Sequence, residues 1–502
     1  MLSLRSSEKM IRVMSQLEAY FQEFRKHIVG NDTTFASPYG EKKIVYADWI
    51  ASGRLYLPIE EQITHVFGPF VANTHTETSE TGTRMTQAYH CAQQIIKKHV
   101  NAGTDDVIIS AGSGMTSVVN KLIRILGLKG CGTLRHTKCI KEMEHPVVFI
   151  THMEHHSNHT SWLETVADVV IIPPGKDLEV DLNELRNQLE IYKERTFKIG
   201  AFTACSNVTG VHTPYHQMAR LMHEYGGLAF IDFAASAPYE EINMHPGDEM
   251  EKLDAIFFSP HKFMGGPGSS GILIFDSNIY HNEVPDQPGG GTVDWTNPWN
   301  KYKYVDNIEA REDGGTPGFL QAIRAALSIK LKEQMGVKNI VAREHELLEI
   351  AFPLLKRVKG VHILADNLQE RLGILSFYVD NIHFNMVVKL LNDRFGIQVR
   401  GGCACAGTYG HYLLEVSYEK SKAITDMINA GDLSEKPGWI RWSLHPTMTN
   451  QEVYDFVDAM QQIVTNIEVW SKDYVYNCKT NEYQHKDQHK GINPEVKNWF
   501  EL

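Results

Sequence analysis

Lys262 lies between His261 and a glycine-rich turn, in the segment SPHKFMGGPGSSGILIF at residues 259–275. Thirty positions upstream, the apolar run LAFID at residues 228–232 ends on Asp232. A lone lysine is usually a solvated surface charge. A lysine set among apolar runs and turn glycines is a candidate amine nucleophile, able to form a Schiff base with an aldehyde cofactor. An acid nearby can pair with the pyridinium nitrogen of such a cofactor. A carboxylate closing an apolar strand is costly when unpaired, and its plain alternative is a cap for the next helix. With Lys262 downstream, the charge-partner reading is preferred.

Five further segments carry polar groups of the right kinds. Residues 110–126, SAGSGMTSVVNKLIRIL, read as a strand, a small-residue turn and a helix. Free N–H groups at a helix start bind anions, although an ordinary structural turn fits the same residues. Residues 151–162, THMEHHSNHTSW, hold His152, His155, His156 and His159. Histidines three or four apart can share a helix face and a metal, but no carboxylate–histidine signature accompanies them. One histidine stacking on an aromatic cofactor, with the others structural, fits better, and no metal site is expected. Asn207 follows a strand in TACSNVTGVHTPY. It serves either a local turn or a contact to a phenolic ring oxygen. Cys403 and Cys405 lie in the small-residue loop QVRGGCACAGTYGHY, residues 398–412. A partly exposed cysteine near a basic group is a candidate thiolate, whereas a cysteine pair supplies too few ligands for zinc. For Cys403, a small residue in a tight turn is the plain alternative. Arg441, in GWIRWSLHP, sits between apolar residues. A buried guanidinium needs an anion, and a bidentate carboxylate is its natural partner.

The positioning elements are legible as apolar runs at 107–110, 147–151, 169–173, 199–203, 228–232, 255–259 and 271–275, several separated by amphipathic stretches. Continuous apolar strands alternating with helices predict a mostly parallel sheet covered on both faces. Ligands collect at the carboxyl ends of such strands, where Gly112, Glu154, Asn207, Asp232 and Lys262 fall. Beyond about residue 305 the pattern changes to long helices, then to an α+β region containing LGILSFYV, MVVKLLNDRFG, IQVRGG and GWIRWSLHP. The expected organisation is a large domain over 45–305 and a smaller C-terminal domain over 306–471. A helical N-terminal segment, 1–44, packs on the small domain with Ile11, Met14, Leu17, Tyr20 and Phe21 on one face. Residues 472–502 are a polar tail.

The bulk properties narrow the class. Among 502 residues, 42% are hydrophobic and 22% charged, as in ordinary globular proteins. A net charge of −12 argues against nucleic acid or an anionic membrane as partner. Seven scattered cysteines argue against a disulfide framework. The charged N-terminus lacks the apolar core of a secretion signal, and no run is long enough to cross a membrane. A reducing cytoplasm is the expected setting.

Taken together, the segments resemble the class V pyridoxal phosphate (PLP) enzymes, and most closely the cysteine desulfurase/selenocysteine lyase branch. YADWIASG (46–53) is similar to that branch's YLDxAAS block, GMTSVVN (114–120) to GTTxxxN, MEHHSN (153–158) to MEHHxN and CSNVTG (205–210) to SNxxG. IDFAAS (231–236) is similar to VDxAQ, and SPHKFMGGPGSSG (259–271) to SxHKxxGPxGxG. GGGT (289–292) and GGTP (314–317) resemble two later glycine turns, VRGGCACA (399–406) resembles RxGxxCA, and IRWSL (440–444) resembles RxSL. The order is preserved from about 45 to 445. Ala235 stands where the family has glutamine, Met115 where it has a hydroxyl residue, and the loop CACAG is more like that of molybdenum-cofactor sulfurases.

The resemblance implies a fold-type I PLP-dependent transferase, with a large mostly parallel mixed sheet sandwiched by helices and a smaller α+β domain. It implies Lys262 as the Schiff-base lysine, Asp232 on the pyridine nitrogen, His155 stacked on the ring and Asn207 on the ring oxygen. Met115 (through its backbone), Thr116, Ser259 and His261 would hold the phosphate, with Thr292 arriving from the partner of a homodimer. Arg441, helped by Arg400, would bind the substrate carboxylate. Cys405 aligns with the cysteine that takes the substrate sulfur. The expected reaction removes sulfur from L-cysteine, leaving L-alanine and a Cys405 persulfide that a sulfur-acceptor protein can empty. The alternative is a class V aminotransferase, epimerase or C–S lyase acting on another amino acid.

Overall fold

The computed structural model describes residues 14–74, 76–130, 145–487 and 494–501. Seven strands form the central sheet: β1 (Asp106–Ala111), β2 (Val147–Thr151), β3 (Asp168–Ile172), β4 (Lys198–Thr203), β5 (Leu228–Asp232), β6 (Ala255–Phe258) and β7 (Gly271–Asp276). Their spatial order is β1-β7-β6-β5-β4-β2-β3. β7 runs antiparallel to both its neighbours, and the other pairings are parallel. Each apolar run of the sequence is one of these strands.

Alternation across the pleat explains why the runs show no polar gaps. In β5, Ala229 and Ile231 face one core and Phe230 the other; in β6, Ile256 and Phe258 oppose Ala255 and Phe257. Both faces are covered, so both registers must be apolar. Each large side chain buried this way contributes about 1.5–3 kcal/mol, which holds the strand ends, and the site on them, in one place.

Among the helices that frame the sheet and the C-terminal region are α1 (Gln16–Arg25), α2 (Glu80–His99), α3 (Met115–Ile125), α4 (His156–Leu163), α5 (Phe319–Met335), α6 (Val337–Lys356), α7 (Phe384–Leu390) and α8 (Asn450–Trp470). α2 and α5 lie together, and α6 and α8 cover the C-terminal sheet. That sheet is antiparallel, in the order β8 (Val361–Ile363), β9 (Ile374–Val379), β11 (Trp439–Ser443), β10 (Arg400–Gly402).

Three local expectations are revised. The N-terminal helix begins at Gln16, because Ser15 Oγ accepts from the Glu18 N–H and caps it. Met14 therefore precedes the helix and is exposed, Leu17 and Tyr20 lie at its margin, and Phe21 alone of the expected apolar face is fully buried; Ile11 lies outside the described residues. Ser15 donates to Glu346, and Arg25 bonds Glu452, which tie α1 to α6 and α8. The stretch IQVRGG is two elements. Ile397–Gln398 pairs in parallel with Val45–Tyr46, and only Arg400–Gly402 joins the C-terminal sheet. Residues 474–485 form a hairpin, β12 (Tyr474–Asn477) and β13 (Glu482–His485). It docks through Tyr474 on Asp393 and Asn481 on Asn385. Among the described residues, no helix is long and apolar enough to cross a membrane.

Candidate active site

The carboxyl ends of β1, β2, β4, β5 and β6 converge on one cavity of about 280 Å³. Met115, Thr116, His155, Asn207, Asp232, Ser259, His261, Lys262, Arg400, Cys405 and Arg441 all line it. Thr292 does not. Within one chain it is buried, and its hydroxyl donates to Gly289 O at 2.7 Å.

One end of the cavity is suited to an anion. The helix α3 starts there, with Ser259 Oγ accepting from the Met115 N–H at 2.8 Å. Thr116 Oγ1 and Ser157 Oγ lie 2.6 Å apart. The start of this helix, with hydroxyls around it, is a favourable phosphate site. Gly114 keeps the space open: a Cβ there would stand 3.2 Å from Ser259 Oγ and 3.4 Å from His261 Nε2. The Met115 N–H lies at this end of the cavity while its side chain is buried in the core, and Thr116, Ser157 and Ser259 bring hydroxyls close by. Ser157 was not legible as a site residue; a serine shortly after His155 gave no chemical signal of its own.

The middle of the cavity holds the titrating groups. Asp232 is 3% exposed, and its Oδ1 accepts from the Ala234 N–H at 2.8 Å. No helix follows Asp232: the next residues form a turn, which this bond closes, so the helix-cap reading does not hold, and the second oxygen is not engaged by this turn. Burial raises Asp232 to about 6, against the pull of the Ala234 N–H and Lys262. Burial lowers Lys262 to about 8, with Asp232 opposing and Arg441 and Arg400 adding to the shift. The lysine turn is braced from behind by the Gly53 N–H, which donates to His261 O at 2.9 Å. A Cβ on Gly53 would fall 2.0 Å from Phe263 O, so only glycine permits this approach. His155 caps α4, its Nδ1 accepting from the Ser157 N–H at 3.1 Å. Burial first, then the neighbouring cations, push it down to about 3. It is a neutral ring held by its own helix, with the proton on Nε2.

Beneath His155, Glu154 is buried and accepts from Thr151, Thr203 and Asn158; burial raises it to about 8. The other histidines of this segment are structural or loop contacts. His152 Nε2 reaches Leu178 O, and His156 Nε2 accepts from the Gly407 N–H. His159 Nδ1 lies 3.4 Å from Thr408 Oγ1.

The remaining wall comes from the C-terminal region. Arg441 is buried, and its Nη2 donates to Asp48 Oδ1 at 2.8 Å while Nη1 donates to Asn207 O at 3.2 Å. Arg400 Nε donates to the other oxygen of Asp48 at 3.0 Å. Thus one carboxylate of the chain holds two guanidiniums at the pocket's edge. Asp48 is the functional residue that sequence reasoning passed over, although it lies within the YADWIASG block. Two cations against one anion leave positive charge for a second carboxylate, and Arg441 Nε is buried without a partner. Cys405 is exposed at the mouth. Asn207 Nδ2 donates to Ala404 O at 2.8 Å, so in this structure the amide holds the cysteine loop. Ala235 lines the cavity with a methyl group where a glutamine would bring an amide.

The aminotransferase class-V family model matches residues 45–456. A probable cysteine desulfurase of Halalkalibacterium halodurans is 27% identical over 368 residues, covering 72% of this chain and 84% of that one. A cysteine desulfurase of Synechococcus elongatus is 27% identical over 370 residues, covering 73% of this chain and 55% of that one. Among solved structures, the apo cysteine desulfurase of Thermococcus onnurineus superimposes with a TM-score of 0.69 at 22% identity, covering 89% of this chain and 98% of that one. An Escherichia coli cysteine desulfurase gives a TM-score of 0.68 at 19% identity, over 89% of this chain and 98% of that one. The site geometry and the matched span together show that this chain belongs to the aminotransferase class-V family.

Proposed function

We propose that the protein is a PLP-dependent cysteine desulfurase, converting L-cysteine to L-alanine and leaving the sulfur on Cys405. The observation that carries the reading is one cavity lined by Lys262, Asp232, Arg441 and Cys405 together. The relatives from Halalkalibacterium and Synechococcus bear the name cysteine desulfurase, which supports the same choice.

PLP fits the cavity's three parts. The start of α3, with Thr116, Ser157, Ser259 and His261, would hold its phosphate. Asp232, buried and short of partners, would hold the ring nitrogen, and neutral His155 would lie on the ring. When bound, this cofactor supplies an aldehyde carbon and an electron-accepting ring.

The chain's own residues supply the rest. Lys262, lowered to about 8, has an appreciable neutral fraction near neutral pH. Its Nζ can bond carbon covalently and then accept and return the substrate α-proton. Arg441, with Arg400 at the edge, orients the substrate carboxylate through the guanidinium face that Asp48 leaves free. Cys405 Sγ, at the mouth, attacks the substrate sulfur. A bond forms between the two sulfurs, the substrate C–S bond breaks, and its electron pair remains on the substrate carbon. That carbon gains a proton, so cysteine and a thiol become alanine and a persulfide.

A homodimer fits the exposed surface. The hairpin of Val293–Thr296 and Tyr302–Tyr304 carries Trp295, Trp299 and Tyr302, which are 49%, 78% and 56% exposed. Such an apolar patch marks an interaction site, and it adjoins Thr292. Light scattering that finds a monomer at working concentration contradicts this assignment. For the activity, PLP-loaded protein is given L-cysteine and its products are separated. Alanine equimolar with transferred sulfur is expected, whereas a keto acid as the main product would identify transamination instead.

A further inference from the structure

Two cavities meet at the cysteine loop. The inner one contains Lys262 and Asp232. The outer one, of about 1050 Å³, lies among β10, α7 and the hairpin β12–β13. Ala404 and Cys405 line both cavities, whereas Cys403 lines only the outer one.

The loop between them is a tight turn. The Ala406 N–H donates to Cys403 O at 3.0 Å. Ala404 and Cys405 have φ of 50° and 57°, the left-handed values that a type I′ turn requires. Left-handed backbone costs a residue with a side chain about 1–2 kcal/mol, and here two such residues are adjacent. Cys403 and Cys405 are the first and third residues of this turn, and two Cα steps of about 3.8 Å keep them within about 7.6 Å of each other. The turn is also pinned on its inner side. Asn207 Nδ2 holds Ala404 O, the His156 N–H holds Cys405 O at 2.7 Å, and the Gly407 N–H holds His156 Nε2 at 3.0 Å. These bonds hold the Cys405 backbone beside the inner pocket, and Cys403, which lines only the outer cavity, is the adjacent thiol to which its sulfur can pass.

We propose that Cys403 is a second sulfur station, receiving sulfur from Cys405 and presenting it to the outer cavity. This rests on the reading of Cys405 as the sulfur carrier. The Cys403 thiolate attacks the terminal sulfur of the Cys405 persulfide. A bond from Cys403 Sγ to that sulfur forms, and the bond from Cys405 Sγ to it breaks. The electron pair stays on Cys405 Sγ, which takes up the proton that Cys403 released. One thiol and one persulfide enter and one of each leaves, with no net oxidation. Arg400 and Lys436 line the outer cavity and favour a persulfide anion there. Cys405, again a thiol, faces the inner pocket for the next substrate.

The test is a time course on the full-length, PLP-loaded protein with equimolar L-cysteine. Samples are quenched by alkylation, and the added sulfur is located by tandem mass spectrometry on a peptide spanning 400–412. Sulfur is expected first on Cys405 and then on Cys403, with none on Cys403 in Cys405→Ser. In Cys403→Ser, sulfur accumulates on Cys405, and its release to an added thiol slows several-fold. Unchanged cofactor absorbance in both variants shows that they fold. Sulfur found on Cys405 alone at every time overturns the relay while leaving the carrier reading intact. Sulfur on neither residue overturns the carrier reading and the relay with it. Sulfur on Cys403 in Cys405→Ser overturns the order of transfer.

Discussion

The two walls of the pocket are built in opposite ways. Lys262, Asp232, His155 and the start of α3 stand on the ends of strands buried on both faces, and their chemistry is set by desolvation. Burial moves Asp232 up to about 6, Lys262 down to about 8 and His155 down to about 3. The facing wall is a turn of small residues from the C-terminal region, with an exposed thiol and backbone strain at Ala404 and Cys405. Its chemistry is set by conformation and by a few hydrogen bonds. On the proposed function two tasks are thereby separated: the buried wall would provide for the cofactor, and the strained turn would select the reaction.

The buried wall gives the largest expected effect. Lys262→Ala should lower alanine formation from L-cysteine by at least about 10³-fold and change the cofactor absorbance. A product assay and a spectrum check both. Near-normal turnover would mean that the covalent role lies elsewhere.

Asp232→Asn should also lower activity, by about 10²-fold, and in addition change stability. In the cofactor-free protein Asp232 titrates near 6 rather than at its ordinary 3.8. Between those values the native state binds more protons than the unfolded chain, so stability falls as pH rises through the window. An asparagine removes that slope. The cofactor-free variant should be more stable at pH 7 by roughly 2–3 kcal/mol, measured by denaturant unfolding across pH. A parallel pH dependence in both proteins would contradict the buried-acid account.

On the strained wall, effects are smaller and should spare the cofactor. His156→Ala removes the acceptor for the Gly407 N–H, worth about 1 kcal/mol. It should slow sulfur transfer to Cys405 several-fold with unchanged cofactor absorbance. Loss of the absorbance as well would mean that the two walls are not separable.

The smallest effect compares backbone strain directly. Ala404→Gly relieves a left-handed residue, so it should leave stability unchanged or raise it by up to about 1 kcal/mol. Ala201→Gly, inside the buried strand β4, should lose about 1 kcal/mol. Equal losses at both positions would remove the case for strain in the turn.

The buried wall was legible in the sequence for the reason it works. Two-sided burial forces unbroken apolar runs, so each of the seven strands announced itself, and the polar residues just after them stood out against that background. Asp48 was hidden because its role depends on Arg400 and Arg441, which are distant in the sequence and reach it only through tertiary folding. Ser157 was hidden because a serine after a pair of histidines has no distinctive pattern. The split of IQVRGG followed from pairing with Val45–Tyr46, a long-range partner that no local period reveals. The outer cavity was invisible for the same reason, since it is made by docking the hairpin β12–β13 from a stretch that reads as a polar tail.

The assignment of the reaction to Cys405 is decided by alanine formation from L-cysteine in Cys405→Ala, beside wild-type protein and Lys262→Ala, all loaded with PLP. If Cys405 takes the sulfur, Cys405→Ala keeps its cofactor absorbance and makes almost no alanine, as Lys262→Ala does. Alanine formation near the wild-type rate in Cys405→Ala, with loss only in Lys262→Ala, would contradict a role for that thiol in the reaction.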